Sequence, residues 1–80
     1  MRLDKYLKVT RIIKRRTVAN EACDSARVTV NGKPAKASYD VKEGDIIEVS
    51  FGEKNLKFRV LDVREHALKA EASSLYEAIL

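Results

Sequence analysis

The chain has no tryptophan, one cysteine, one histidine, one proline and three glycines in 80 residues. A lone cysteine cannot close an internal disulfide. Cys23 stands among Val18, Ala22 and Ala26, the setting of a small core residue and not of a reactive thiol. One His and one Cys, 43 residues apart, give no metal-ligand spacing. Three separated glycines build no phosphate-cradling loop. Nothing in the pattern positions a Ser–His–Asp or Cys–His arrangement, and His66 lies in a polar connection where a solvated imidazole is expected. Domains this small also seldom form a deep pocket. The expectation is a non-enzymatic protein without a cofactor or a metal. No stretch approaches the ~20 apolar residues of a membrane span, and no apolar run follows the basic start, so a cytosolic chain with no membrane partner is expected. The five aromatics (Tyr6, Tyr39, Phe51, Phe58, Tyr76) all fall in apolar patterns and read as core. That argues against a base-stacking platform and leaves recognition of shape and backbone.

What is present is charge, unevenly distributed. The whole chain carries +4 with 45% apolar residues, the composition of one small globular domain spanning residues 1–80. Residues 1–16 hold seven cations (Arg2, Lys5, Lys8, Arg11, Lys14, Arg15, Arg16) against one acid, Asp4. The first sixteen residues are therefore near +6 and the remainder near −2. Charge for solubility alone would mix the two signs; segregated charge creates a directed field and implies a polyanionic partner. Arginine's planar fork suits bidentate phosphate contacts. Lys14-Arg15-Arg16-Thr17 adjoins an expected helix N-terminus, where unpartnered N–H groups also favour anions. These residues read as a nucleic-acid-binding edge, for RNA in particular.

The periodicity predicts a helix over 2–10, with Leu3, Tyr6, Leu7 and Thr10 on the apolar side. Asp4, Lys8, Arg11 and Arg15 fall on the other, with an Asp4–Lys8 pair one turn apart. Continuing past residue 12 would put Lys14 into the apolar stripe, so Ile12–Arg16 reads as a connection anchored by Ile12 and Ile13. Thr17 is the candidate N-cap of a second helix bearing Val18, Ala19, Ala22, Cys23 and Ala26. Val28-Thr29-Val30 alternates as a strand, and Asn31-Gly32 is a strong hairpin signal. The return past Pro34 fits only an edge. An irregular crossing over 37–41 buries Tyr39 and Val41, and Lys42–Asp45 turns into a strand at Ile46–Phe51. Gly52–Asn55 turns again into a strand at Leu56–Val63. The spacing of Leu68, Ala72, Leu75, Tyr76 and Ile79 predicts a final helix over 69–80. The fold class is α+β: two N-terminal helices packed on a small antiparallel sheet, plus a C-terminal helix.

Four motifs in order (Arg2-Leu3-Asp4-Lys5-Tyr6-Leu7, Arg15–Ala19, Arg27–Pro34 and Val41–Val49) resemble the S4 RNA-binding domain over about residues 1–51. The segment 56–80 then adds a strand and a helix to that core. The resemblance implies a basic helical edge that grips structured RNA. It implies RNA contacts for Arg2 and Arg16. Lys5, Lys8, Arg11, Lys14, Arg15 and Thr17 would flank them, and Asp4 would orient an arginine such as Arg16. No pseudouridine synthase, aminoacyl-tRNA synthetase or methyltransferase body accompanies the domain. The likeness is greatest to the small bacterial members of ribosome-associated quality control. That implies 23S rRNA, tRNA and the large ribosomal subunit as partners, with an RqcH-type tailing factor that adds alanine to the stalled chain, and a monomeric state. More distantly, the chain resembles the heat-shock S4 proteins that bind free large subunits. Their basic C-terminal extension has no counterpart here, which weakens subunit recycling, the alternative reading. Two positions depart from the family pattern: Arg15 where Ser is frequent, and Ala26 where Gly is frequent. A protein-interaction module of ubiquitin-like or sulfur-carrier type is the alternative from another class. Such carriers need a terminal Gly-Gly, and this sequence reads Ala78-Ile79-Leu80 there.

Overall fold

The computed structural model describes residues 1–79. Helices α1 (Leu3–Val9) and α2 (Arg16–Asp24) precede strands β1 (Val28–Val30), β2 (Lys33–Pro34), β3 (Ile46–Phe51) and β4 (Lys54–Val60). A single helical turn, α3 (Lys69–Ala72), and strand β5 (Tyr76–Ala78) follow. The strands form one antiparallel sheet in the order β2-β1-β3-β4-β5. Register puts Val28 opposite Val49, Val30 opposite Ile47, and Ile47 opposite Phe58. Alternation then directs Val28, Val30, Ile47, Val49, Phe58 and Val60 to one buried face. Leu3, Tyr6 and Leu7 of α1 and Ala19, Ala22 and Cys23 of α2 complete the same core. The rings of Tyr6 and Phe58 lie 6.5 Å apart, and Tyr76 meets Phe58 edge-on at 5.4 Å.

The hairpin between β1 and β2 turns through Asn31 (φ 54°) and Gly32 (φ 85°), the pair of positive φ values that a two-residue I′ turn requires. The Asn31 side chain braces it, accepting from the Ile46 N–H and donating to the buried Asp45 carboxylate. The crossing at 37–41 is irregular, as the sequence predicts, and it pins the start of the chain. The N–H groups of Leu3 and Asp4 donate to Tyr39 and Ala37, and the Val41 N–H donates to Met1. Val41 is buried and Tyr39 half-buried against the core.

Five expectations change. The final helix, read over 69–80, is one turn followed by a strand. Ser73 and Ser74 interrupt good helix formers, and β4 offers an unpaired edge that β5 covers, with Tyr76 opposite Val60 and Ala78 opposite Phe58. β4 begins at Lys54 and stops at Val60, not Val63, because the Leu61 and Asp62 N–H groups turn to the Leu75 carbonyl (2.9 and 3.2 Å). Phe51, read as core, is 44% exposed at the end of β3. Val18 and Ala26, placed on the apolar face of α2, are exposed. Thr17 is not the cap: α2 starts at Arg16, two residues earlier than a Thr17 cap would place it, with extended Arg15 in the cap position and no side-chain cap.

Candidate nucleic-acid interface

Helix α1 ends at Val9, and the Thr10 hydroxyl donates back to the Tyr6 carbonyl at 2.8 Å. Arg11 then adopts φ 61°, a left-handed conformation usually left to glycine. Ile13 returns to the core and its N–H donates to the Leu7 carbonyl at 3.1 Å. With Ile13 held inside, the cations around it (Arg11, Lys14, Arg15, Arg16) remain exposed. The connection is thus an anchored loop, as its two isoleucines predict.

Asp4 is almost wholly buried, at 1% exposure, and not on the solvent side of α1 where its spacing put it. The expected Asp4–Lys8 pair is absent. The Asp4 carboxylate instead accepts from Arg2 Nε (3.1 Å) and Nη2 (3.3 Å), Asn20 Nδ2 (3.2 Å) and the Lys5 N–H (2.8 Å). Arg16 Nε stands 3.5 Å away. Burial works to raise the Asp4 pKa, but the hydrogen bonds from Arg2, Asn20 and Lys5 and the charge of Arg16 outweigh it. The carboxyl is held below its ordinary value. The same partnership raises the Arg2 pKa, chiefly through its hydrogen bond to Asp4. Arg2 and Arg16 are each about half exposed, so one buried anion holds two guanidinium groups with their outer edges free. The two arginines, Asp4, Thr17, Asn20 and Glu21 line a hollow of about 470 Å³.

Beside it, sharing Arg16, lies a cleft of about 650 Å³ lined by Lys5, Lys8, Val9, Arg11, Lys14 and Arg16, and by Glu65, His66, Ala67 and Lys69. Of the residues singled out by sequence, Arg2, Lys5, Lys8, Arg11, Lys14, Arg16 and Thr17 thus lie along two adjoining depressions. Arg15 lines neither and stands exposed at the start of α2. Among the described residues, Lys8, Arg11, Lys14 and Arg15 form no ion pair, and Lys5 reaches only Glu65, at 3.5 Å. His66 and Lys69 belong to the cleft and were not picked out by sequence. The one available signal was the local cluster of Arg64, His66 and Lys69, diluted by Asp62, Glu65 and Glu71.

Burial, aided by Asp4 and Asp24, pushes the Cys23 thiol up to about 11, which leaves almost no thiolate at neutral pH. Among the described residues, no three His, Cys, Asp or Glu side chains group as a metal site, and no helix is long and apolar enough to cross a membrane.

A small α+β domain whose first two helices and the connection between them gather arginines and lysines, with no Phe, Tyr or Trp among the residues lining the two depressions, has the charge distribution of a polyanion-binding module. The chain belongs to the S4 domain family, whose model matches residues 1–47. It is 54% identical, over 96% of its length and 88% of the relative's, to the RQC P-site tRNA stabilizing factor of Halalkalibacterium halodurans. It is 53% identical, over 99% of its length and 90% of the relative's, to the protein of that name from Streptococcus pneumoniae. The solved structure of Vibrio cholerae Heat Shock Protein 15, described as trimeric, superposes with a TM-score of 0.91 at 29% identity, covering 99% of this chain and 81% of that one.

Proposed function

We propose that the protein is a non-enzymatic RNA-binding factor of ribosome-associated quality control. It binds the stalled large ribosomal subunit through 23S rRNA and peptidyl-tRNA, steadies the P-site tRNA, and supports alanine tailing by an RqcH-type factor. It acts in the cytosol as a monomer. The observation that carries this reading is the buried Asp4 carboxylate. It fixes Arg2 and Arg16 side by side, next to a cleft whose other cations have almost no internal partners. The names of the relatives support the tRNA and quality-control parts. The domain adds affinity and geometry, not chemistry: guanidinium and ammonium groups displace counterions from phosphates and hold two RNAs in one register.

The test is co-sedimentation with large subunits carrying peptidyl-tRNA, over a range of salt. The Arg2→Ala/Arg16→Ala variant loses two phosphate contacts. Its affinity falls roughly twentyfold at 0.15 M salt, and the slope of log K against log salt shrinks by about 1.4–1.8. Wild-type binding by that variant, or a flat salt response, would overturn the reading. Subunit recycling, which the resemblance to the heat-shock S4 proteins implies, is the second reading, and the likeness to the Vibrio heat-shock protein keeps it open to test. Tagged protein that recovers large subunits without peptidyl-tRNA would support it.

A further inference from the structure

Residues 64–69 lie outside the family's matched region, 1–47, and contribute nothing to the core cluster. Yet they form the wall of the cleft that faces the helical cations. Three features hold them there. The buried Tyr6 hydroxyl donates to the Leu75 carbonyl at 2.8 Å, and the same carbonyl receives the N–H groups of Leu61 and Asp62. The two ends of the segment are thereby drawn to one point beside α1. Inside the segment, Arg64 is tied to Asp62 (2.8 Å) and Glu71 (3.8 Å), and Glu71 also accepts from the Leu68 N–H. Across the cleft, Glu65 reaches Lys5 at 3.5 Å. After these pairings, His66 and Lys69 are the polar side chains left over. Among the described residues neither forms a side-chain hydrogen bond or an ion pair, and both are exposed.

We propose that the 64–69 segment is a second RNA-contacting wall, with His66 and Lys69 holding a ribose-phosphate strand against Lys5, Lys8 and Arg11. This rests on the RNA-binding reading above and extends it. The site becomes a two-sided cleft and not a one-sided ridge. A pre-tethered segment loses little conformational freedom when it grips, so its contacts are retained in the affinity. Glu65, 72% exposed, stands where it neutralises Lys5 until a phosphate takes its place.

The test compares full-length variants on large subunits carrying peptidyl-tRNA. His66→Ala/Lys69→Ala should keep the wild-type melting temperature, because both side chains are exposed. Its affinity should fall roughly fivefold at 0.15 M salt, and its salt slope should drop by about 0.7–0.9, the share of one phosphate contact. Lys33→Ala, an exposed lysine on the β2 edge of the sheet that lines neither depression, should keep the wild-type slope. A photoreactive phenylalanine in place of Leu68, which is 73% exposed, should crosslink to RNA. Unchanged affinity and slope in the double variant, while Arg2→Ala/Arg16→Ala loses binding, would overturn the second wall and leave the RNA reading intact. A crosslink from position 68 to protein alone would also overturn it. Wild-type binding by Arg2→Ala/Arg16→Ala would remove the RNA reading itself, and this proposal with it.

Discussion

Lys5 and Lys8 stand on a helix that Leu3, Tyr6, Leu7 and Ile13 hold into the core, and Arg11 stands just past its Thr10 cap. His66 and Lys69, across the cleft, stand on a stretch from Leu61 to Glu71 in which no residue is buried, between buried Val60 and buried Ala72. One wall is placed by its own hydrophobic face. The other is placed by its ends, through the Leu75 carbonyl and the β5 pairing. Both present cations to the same space. A binding surface can therefore be specified by a local pattern on one side and by tethering on the other, and only the first leaves a periodic trace. The two sides should also differ in stability. Segments with few buried apolar contacts open at lower free energy than the core helices.

The sharpest way to break this comparison is to remove the anion that organises the helical wall. Asp4→Ala deprives Arg2, Arg16, Asn20 and the Lys5 N–H of their shared acceptor. It should destabilise the fold by about 2–3 kcal/mol, as expected for hydrogen bonds to a charged group, read as a lower denaturant midpoint. The effect has a pH signature. Asp4 titrates below its ordinary value of 3.8, so its contribution is complete above that value and is lost as pH falls through the folded one. The stability gap between wild type and Asp4→Ala should be constant from about pH 5 to 8 and shrink below about pH 4. Large-subunit binding should fall too, because the two arginines lose their common aim.

Tyr6→Phe tests the other wall. The ring stays in the core, but the bond to Leu75 goes. The Leu75 carbonyl keeps the Leu61 and Asp62 N–H groups, so the cost should be only about 0.5–1.5 kcal/mol. Amide exchange should quicken over 61–76 while α1 and α2 keep their protection. Uniform acceleration through the whole chain would show that the tether is not a separate unit. The smallest effect has the opposite sign. Ala26 closes α2 at φ 61°, where the Arg27 N–H reaches the Ala22 carbonyl and the Ala26 N–H reaches Cys23. This is a Schellman end built without glycine. Relief of left-handed strain exceeds the added freedom of the unfolded chain, so Ala26→Gly should stabilise by about 0.5–1 kcal/mol and raise the Tm by a few degrees. RNA affinity should not change.

The N-terminal part was legible because its signals are local. The apolar spacing of Leu3, Tyr6 and Leu7, the conflict that Lys14 would create in a longer helix, and Asn31-Gly32 each act within a few residues. The final helix was misread because Leu68, Ala72, Leu75 and Ile79 fit a helical period, while the competing influence was a strand edge far back in the chain. Asp4 was read on the wrong side for a related reason. Its burial depends on Arg2, Arg16 and Asn20 converging from two helices. Its pairing with Arg16, however, is the partnership that the family resemblance implies.

By itself, the sequence determined that residues 1–16 would carry a strong positive field, that two helices and a small antiparallel sheet would share one core, and that the basic connection would be anchored by isoleucine. Charge and periodicity are properties of neighbouring residues and survive being written in one dimension. Only the tertiary structure decided that a buried carboxylate joins two arginines, that the C-terminal segment ends as a fifth strand, and that His66 and Lys69 stand opposite α1. Those outcomes depend on contacts between residues distant in the chain, whose free energy appears only once the core has brought them together.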